Sequence, residues 1–371
     1  MTDKPTASII HHFSSIEDPR IDRQKKHQLQ DIFFITLCAV ICGADNWVAI
    51  EEFGKSKKAW FTELLGLRHG IPSHDTFGEV FMAIDTEQFS ECFSNWVCDL
   101  VHLSDGEVIA IDGKCIRRSI DKASKKSTIH MVSAWAQRNS LVLGQTQVDE
   151  KSNEITAIPK LLSRLNLTGT VITIDAMGCQ KTIAQQIIQQ GADYVLSLKG
   201  NQGSLCEDVA TYFASSLSPE AAKVTVDGGH GRIETRTVRV TDEIAWLKER
   251  HCWTGLQSII AVTATRESEN KITEETRYFI SSLSANNPAK LEHAVRAHWA
   301  IENNLHWVLD IAFDEDSNRA RKGHSAANLA IIRHIALNLI KKEKTSKVGV
   351  KTKRLKAGWN NDYLLKIIGV I

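Results

Sequence analysis

Apolar and polar residues recur along this chain with two different periods, and the change of period divides it. Up to about residue 100 the spacing is helical. Residues 29–42 are apolar almost all round, which predicts a helix at the centre of a small bundle. Residues 46–58 and 58–65 predict shorter helices, with Gly66 and Gly70 as breaks. In GIPSHDTFGEVFMAI, Ser73 or Asp75 can cap a helix carrying Phe77, Val80, Phe81 and Ile84. Short capped helices of this kind fit a helix-turn-helix and a plain helical bundle alike.

From Gly106 the texture is that of strands. Residues 107–112 (EVIAID) predict a strand ending in Asp112, and 130–137 and 141–148 predict two more, joined by Arg138-Asn139-Ser140. The three can form an antiparallel meander. Residues 154–165 predict a helix capped by Asn153, with Pro159 placing its start near Ile158. A fourth strand, 170–174, ends at Asp175. A helix over 179–190 then buries Ile183, Ile187 and Ile188, and a fifth strand, 193–198, leads into Lys199-Gly200-Asn201-Gln202. Strands at 233–240, 259–265 and 276–283 predict a β-rich insertion over about 203–288.

The last strongly patterned stretch is RAHWAIENNLHWVLDIAFDED, residues 296–316, which predicts one helix. Ile301, Leu305, Val308 and Ala312 form an apolar stripe. His298, Glu302 and His306 lie on a stripe about 100° further round. A carboxylate beside a buried face needs a partner, either a basic neighbour or a divalent cation. The cation requires further acids from elsewhere in the chain. Asp112, Asp175 and Glu302 stand where a ribonuclease-H-like fold carries its acids: on the first strand, at the end of the fourth, and on a late helix. The first and fourth strands are neighbours in that fold, so Asp112 and Asp175 would meet.

The reading is therefore an α/β chain. A helical domain, 1–104, precedes a ribonuclease-H-like core, 105–340, with a mixed sheet and helices on both faces, and a basic tail, 341–371, follows. Three carboxylates suit Mg²⁺, with Mn²⁺ able to substitute, and two such ions can clamp an in-line phosphoryl displacement. That chemistry lets water cut a phosphodiester or lets a DNA 3′-hydroxyl attack another strand.

Net charge is +1 over 371 residues, so any nucleic-acid contact has to be local. Lys114, Arg117 and Arg118 follow the first acid. Lys199, Asn201 and Gln202 end the fifth strand, and Arg232 sits in GGHGRIE. Arg296, Arg319, Arg321 and Lys322 flank the Glu302 stretch. An N-terminal cluster adds Arg20, Arg23, Lys25 and Lys26. Each group alone is an ordinary solvated face; around a carboxylate site they suit a DNA backbone. The 8 Cys include no CxxC pair, which argues against structural zinc or a redox pair. The N-terminus lacks the apolar core of a signal peptide, and the apolar run 32–44 is too short to span a membrane. A cytoplasmic setting is expected.

SHDTF, AIDGK, EKSNEITAIP, TIDAMGCQ, DYVLSLKGNQ, HGRIE, HWAIENNLHWVLD and FDEDSNRARKG run from Ser73 to Gly323. In these stretches the chain resembles bacterial insertion-sequence transposases of the DDE type, closely the H-repeat-associated group found beside Rhs elements. The resemblance implies an N-terminal associated domain and Mg²⁺-dependent cutting and joining of DNA, with Asp112, Asp175 and Glu302 as the triad. It also implies binding to the element's terminal inverted repeats and to target DNA, as a homodimer. Related transposases often carry Tyr, Arg and Lys around the catalytic Glu; here those positions hold Val295, His298 and Leu309. His298 and His306 are expected to contact the DNA end in their place. Arg118 stands where relatives usually show a small residue. A metal-dependent nuclease without joining, and an inactive DNA-binding remnant, are the alternatives.

Overall fold

A computed structural model describes residues 5–21, 25–119, 128–148, 153–215, 223–229, 232–268 and 271–369. Arg23 and residues 230–231 of the HGRIE motif lie outside them.

The helical period of the N-terminal part gives α1 (Pro5–Phe13), α2 (Leu29–Ile41), α3 (Trp47–Ser56), α4 (Lys58–Leu65), α5 (His74–Ala83) and α6 (Thr86–Leu100). From Ile32 to Ile41 every residue of α2 is buried, as an all-round apolar helix requires. Ser73 is the cap of α5, its side chain accepting from the Thr76 N–H.

Beyond Gly106 all strands among the described residues join one nine-stranded sheet, in the order β3-β2-β1-β4-β5-β9-β8-β7-β6. The first five are β1 (Val108–Ile116), β2 (Ile129–Ala136), β3 (Leu141–Gln147), β4 (Val171–Ile174) and β5 (Asp193–Leu198). β1 pairs antiparallel with β2 and parallel with β4, and β4 pairs parallel with β5. The remaining strands are β6 (Lys223–Gly229), β7 (Arg232–Thr241), β8 (Ser258–Ser268) and β9 (Lys271–Ser281). β9 pairs antiparallel with β5, so the region expected as an insertion continues the sheet. β6 was not foreseen, because Lys223, Asp227 and two glycines obscure its alternation.

Helices cover the sheet. α7 (Glu154–Ser163) packs on β2 and β3, and α8 (Lys181–Gln189) on β5. α7 starts at Glu154, capped by Asn153, so Pro159 sits inside the helix instead of in its first turn. Ile188 is only half-buried. α9 (Ser204–Ala214) and α10 (Ala245–His251) follow, and α11 (Pro288–Ile301) crosses β1, β4 and β5.

The stretch expected as one helix over 296–316 is divided. After α11 comes a π turn, Glu302–His306, then α12 (Trp307–Phe313). Asp314 takes a left-handed conformation, φ 48°, and ends the helix before a short 3₁₀ turn, Glu315–Ser317. The π turn inserts one residue into the helical register. Ile301 is buried before it, Leu305 within it, and Leu309, Ala312 and Phe313 after it, while Val308 is only half-buried.

α13 (Ser325–Lys342) is the spine of the molecule, buried from Ser325 to Ile340 and packed on α2, α5, α6 and β3. Two of its buried asparagines each hold another element. Asn328 Nδ2 donates to the carbonyls of Phe81 and Ile84. Asn338 accepts from Val142 N–H at 2.9 Å and donates to Val142 C=O at 2.8 Å, so its amide stands in for the strand that edge strand β3 lacks. The expected basic tail is not a free arm. It folds into α14 (Val350–Trp359) and α15 (Asn361–Ile367), with Lys353 and Arg354 buried. Arg354 donates to Val40 C=O and to Asp45, tying α14 to α2. No helix among the described residues is long and apolar enough to cross a membrane.

Replacing Asn338 by Leu keeps the volume and removes both bonds to Val142. Stability should fall by about 2 to 4 kcal/mol, because two buried backbone groups lose their partners. Urea unfolding checks this; a variant as stable as wild type would show that water reaches the β3 edge.

Candidate active site

Asp112 lies inside β1, which runs on past the expected end to Ile116. Period-two alternation puts Val108, Asp112 and Lys114 on one face, and Val108 packs with Val171, Leu291 and Ala294 under α11. Ile111 is in register with Ile174, so Asp112 and Asp175 are the next residues on adjacent parallel strands. Gly113 points to the opposite face, where a Cβ would lie 2.0 Å from Glu154 Oε1. Glu154 is buried there and paired with His130 at 2.9 Å. Only glycine leaves room for that pair behind Asp112.

Glu302 and His306 come down from the π turn onto Asp112. His306 Nδ1 is 3.4 Å from Glu302 Oε2 and 3.6 Å from Asp112 Oδ2. One ligand atom from each of Asp112, Glu302 and His306 lies within 4.8 Å of the other two. Burial pushes the Asp112 carboxyl up to about 7; the His306 ring opposes this, and the Glu302 and Asp175 carboxylates add to it. The His306 side chain holds Glu302 below its ordinary value. Oxygen donors from two carboxylates and a nitrogen from an imidazole form a set that a divalent cation fits, and the charge of such an ion would offset the burial and negative neighbours that raise the Asp112 pKa.

Asp175 stands apart from that trio. Its Oδ1 accepts from the N–H groups of Met177 at 3.0 Å and Gly178 at 3.2 Å, closing an Asx turn. Asn201 and Gln202, expected to meet DNA, instead donate their amides to the carbonyls of Ala176 and Cys179 and fix this turn. His298 likewise turns inward, its Nδ1 3.2 Å from Thr173 Oγ1. Burial lowers its pKa, against the pull of Asp175 and Glu302.

Lys114 was expected on phosphate, and the structure uses it internally. Its ammonium contacts Asp310, lies 2.9 Å from Glu315 Oε2 and reaches the His306 carbonyl at 3.5 Å. Burial opposes its charge, but the two carboxylates outweigh burial and raise its pKa. Glu315 is completed by Arg333 at 3.7 Å. This cluster was missed in the sequence. Its signal was present: Arg333 and His334 interrupt an otherwise apolar helix, and buried charge needs opposite charge.

The other cations stay at the surface. Lys199 and Arg232 are exposed, and Arg117 is exposed beside Asp316 at 3.2 Å. Arg296 lies 3.5 Å from Asp227 and 3.6 Å from Glu292. Arg319 and Arg321 line a groove of about 630 Å³ with Lys322, opposite Trp47, His74 and Glu79. Arg321 Nε also donates to the Arg118 carbonyl.

Residues 103–339 match the sequence model described as "Transposase DDE domain". The chain belongs to the DDE transposase family. Residues 10–97 match a second model, described as "DDE_Tnp_1-associated". Among curated proteins, "Putative transposase YncI" of Escherichia coli O157:H7 is 42% identical over 97% of this chain and 94% of its own length. "H repeat-associated putative transposase YhhI" of Escherichia coli K12 is 40% identical over 97% of both. In this member of the DDE transposase family, the three acids read from the sequence are Asp112 on β1, Asp175 just after β4, and Glu302 at the start of the π turn.

Two outcomes follow from these electrostatics. Lys114→Met strands Glu315 and Asp310 without their ammonium, so stability in urea should drop by about 3 kcal/mol; an unchanged midpoint would mean the cluster is hydrated. Asp112 has a folded pKa above its unfolded one, so folding takes up a proton between about pH 4 and 7 and stability falls as pH rises through that window. Asp112→Asn should therefore stabilise the metal-free protein at pH 8 by on the order of 2 kcal/mol, with the gap closing below pH 4. Thermal melts at the two pH values measure this, and an equal gap at both would contradict it.

Proposed function

We propose that this chain is a DNA transposase that binds the terminal inverted repeats of an insertion sequence and cuts and joins DNA through Asp112, Asp175 and Glu302. One observation carries the reading. Two adjacent parallel strands deliver Asp112 and Asp175 side by side, and a helix over the same face delivers Glu302 beside Asp112. The strand order β3-β2-β1-β4-β5, antiparallel then parallel, supports a ribonuclease-H-like core.

Asp112 and Glu302 would hold a divalent cation, Mg²⁺ or Mn²⁺, and Asp175 would complete the site from the neighbouring strand end. When bound, the cation supplies Lewis-acid stabilisation to an in-line phosphoryl displacement. The chain supplies the positions. The Asx turn at Met177 and Gly178 fixes one oxygen of Asp175 and leaves the other for the site. The Lys114 cluster fixes the π turn over β1. Lys199 and Arg232 are exposed and can meet phosphates, as can Arg117, Arg296, Arg319 and Arg321 at the surface, and affinity carried by such contacts is salt-sensitive. In this reading the substrate is double-stranded DNA in the cytoplasm, and a second copy of the chain completes the DNA complex.

A labelled duplex bearing the element's own end, incubated with Mg²⁺ and target plasmid, tests this. Wild type should give strand-joined product, EDTA should abolish it, and Asp175→Asn and Glu302→Gln should each lower it at least about a hundredfold. Cleavage without joining would mark a nuclease. End binding without product in either Mg²⁺ or Mn²⁺ would leave a DNA-binding protein and sink the catalytic reading.

A further inference from the structure

We propose that His306 is a direct ligand, through Nδ1, of the divalent cation that Asp112 and Glu302 hold, so that two carboxylates and one imidazole bind the ion. This rests on the metal-dependent reading above and adds to it a nitrogen that a set of three acids does not contain.

The distances favour shared coordination over hydrogen bonding. His306 Nδ1 stands 3.4 Å from Glu302 Oε2 and 3.6 Å from Asp112 Oδ2. Both exceed the usual 2.7 to 3.2 Å of an N–H···O bond. They are close to the edge of a coordination shell, since ligands about 2.1 to 2.2 Å from one ion lie about 3.0 to 3.5 Å apart.

The backbone aims the ring. In the π turn the Trp307 N–H reaches back to Glu302 C=O, five residues away. The His306 side chain is 7% exposed, whereas that of Glu302 is 64% exposed, so the imidazole lies beneath the carboxylate and against β1. Lys114, two residues from Asp112 on the same strand, reaches the His306 carbonyl. One strand thus anchors both the oxygen donor and the backbone that carries the nitrogen donor. Among the described residues His306 Nε2 is buried without a hydrogen-bond partner, so Nδ1 is the ring nitrogen that meets polar groups. Asp175 lies outside the trio and commits Oδ1 to two backbone amides, so only its other oxygen is left to complete the site from the strand end.

The chemical consequence is metal choice. Mg²⁺ favours oxygen ligands, whereas imidazole raises the relative affinity for Mn²⁺ and later transition ions. The test uses the full chain, with ¹⁵N-labelled histidine and Mn²⁺ as the probe, read by pulsed EPR and by Mn²⁺ and Mg²⁺ titration. Wild type should show the hyperfine coupling of a directly bound nitrogen. His306→Gln should lose it and bind Mn²⁺ at least about tenfold more weakly, with a smaller change for Mg²⁺. His298→Gln should keep the coupling. Should His306→Gln fail to fold, His306→Asp keeps a ligand without a nitrogen and answers the same question. Bound Mn²⁺ with no nitrogen coupling, or a coupling that survives loss of His306, would overturn the proposal and leave the metal-dependent reading standing. Wild type that binds no Mn²⁺ would overturn both.

Discussion

A buried ammonium ion sets the geometry on which the candidate site depends. Lys114 is drawn out of water between Asp310 and Glu315 and touches the His306 backbone. A charge in that position is tolerable only where opposite charge meets it at close range. Glu315 in turn faces Arg333. The result is that β1, the π turn, α12, the 3₁₀ turn and α13 cannot shift independently. The approach of Glu302 and His306 to Asp112 follows, because Asp112 and Lys114 share one face of one strand.

α13 extends the same logic through the molecule. A helix buried over its whole length gains most from apolar residues, yet Asn328, Arg333, His334 and Asn338 interrupt it. Asn328 secures the end of α5 and Asn338 the open edge of β3. Arg333 completes the cluster next to the site. The helices matched by the associated-domain model and the sheet matched by the DDE model therefore share one core, joined by a helix late in the chain. The C-terminal helices close it through Arg354, whose guanidinium also stacks on Phe313 at 4.1 Å.

Much of this was legible in the sequence, for identifiable reasons. Strands buried on both faces declare themselves as Val- and Ile-rich runs, so β2 to β5 were read close to their limits, while β1 runs on to Ile116 past its expected end at Asp112. Asp112, Asp175 and Glu302 stood out because acids interrupted those runs or bordered an apolar stripe. The π turn was not legible, since one inserted residue alters register without altering composition. The direction of polar side chains was not legible either. Asn201, Gln202, Lys114 and Lys353 looked like surface groups by type, and each is turned onto a backbone carbonyl or a buried carboxylate. Nor does local pattern reveal that β9 pairs with β5, because that partner is more than 70 residues away.

The distribution of charge gives these pieces a common sense. Next to the site, on the same face of β1, the charges balance: Lys114 and Arg333 face Asp310 and Glu315. At the front, in the site itself, Asp112, Asp175 and Glu302 are met by two imidazoles, His306 beside Asp112 and Glu302 and His298 nearer Asp175. Arg117 is paired with Asp316 and Arg296 with Asp227 and Glu292, so neither neutralises the front acids. The protein thus uses its nearby cations to position a carboxylate cluster while withholding positive charge from it. Such a cluster is costly in the metal-free state, as the raised Asp112 pKa reflects. The same shortage is what lets an added divalent ion bind, since its charge relieves a repulsion that the fold maintains instead of one it must first create.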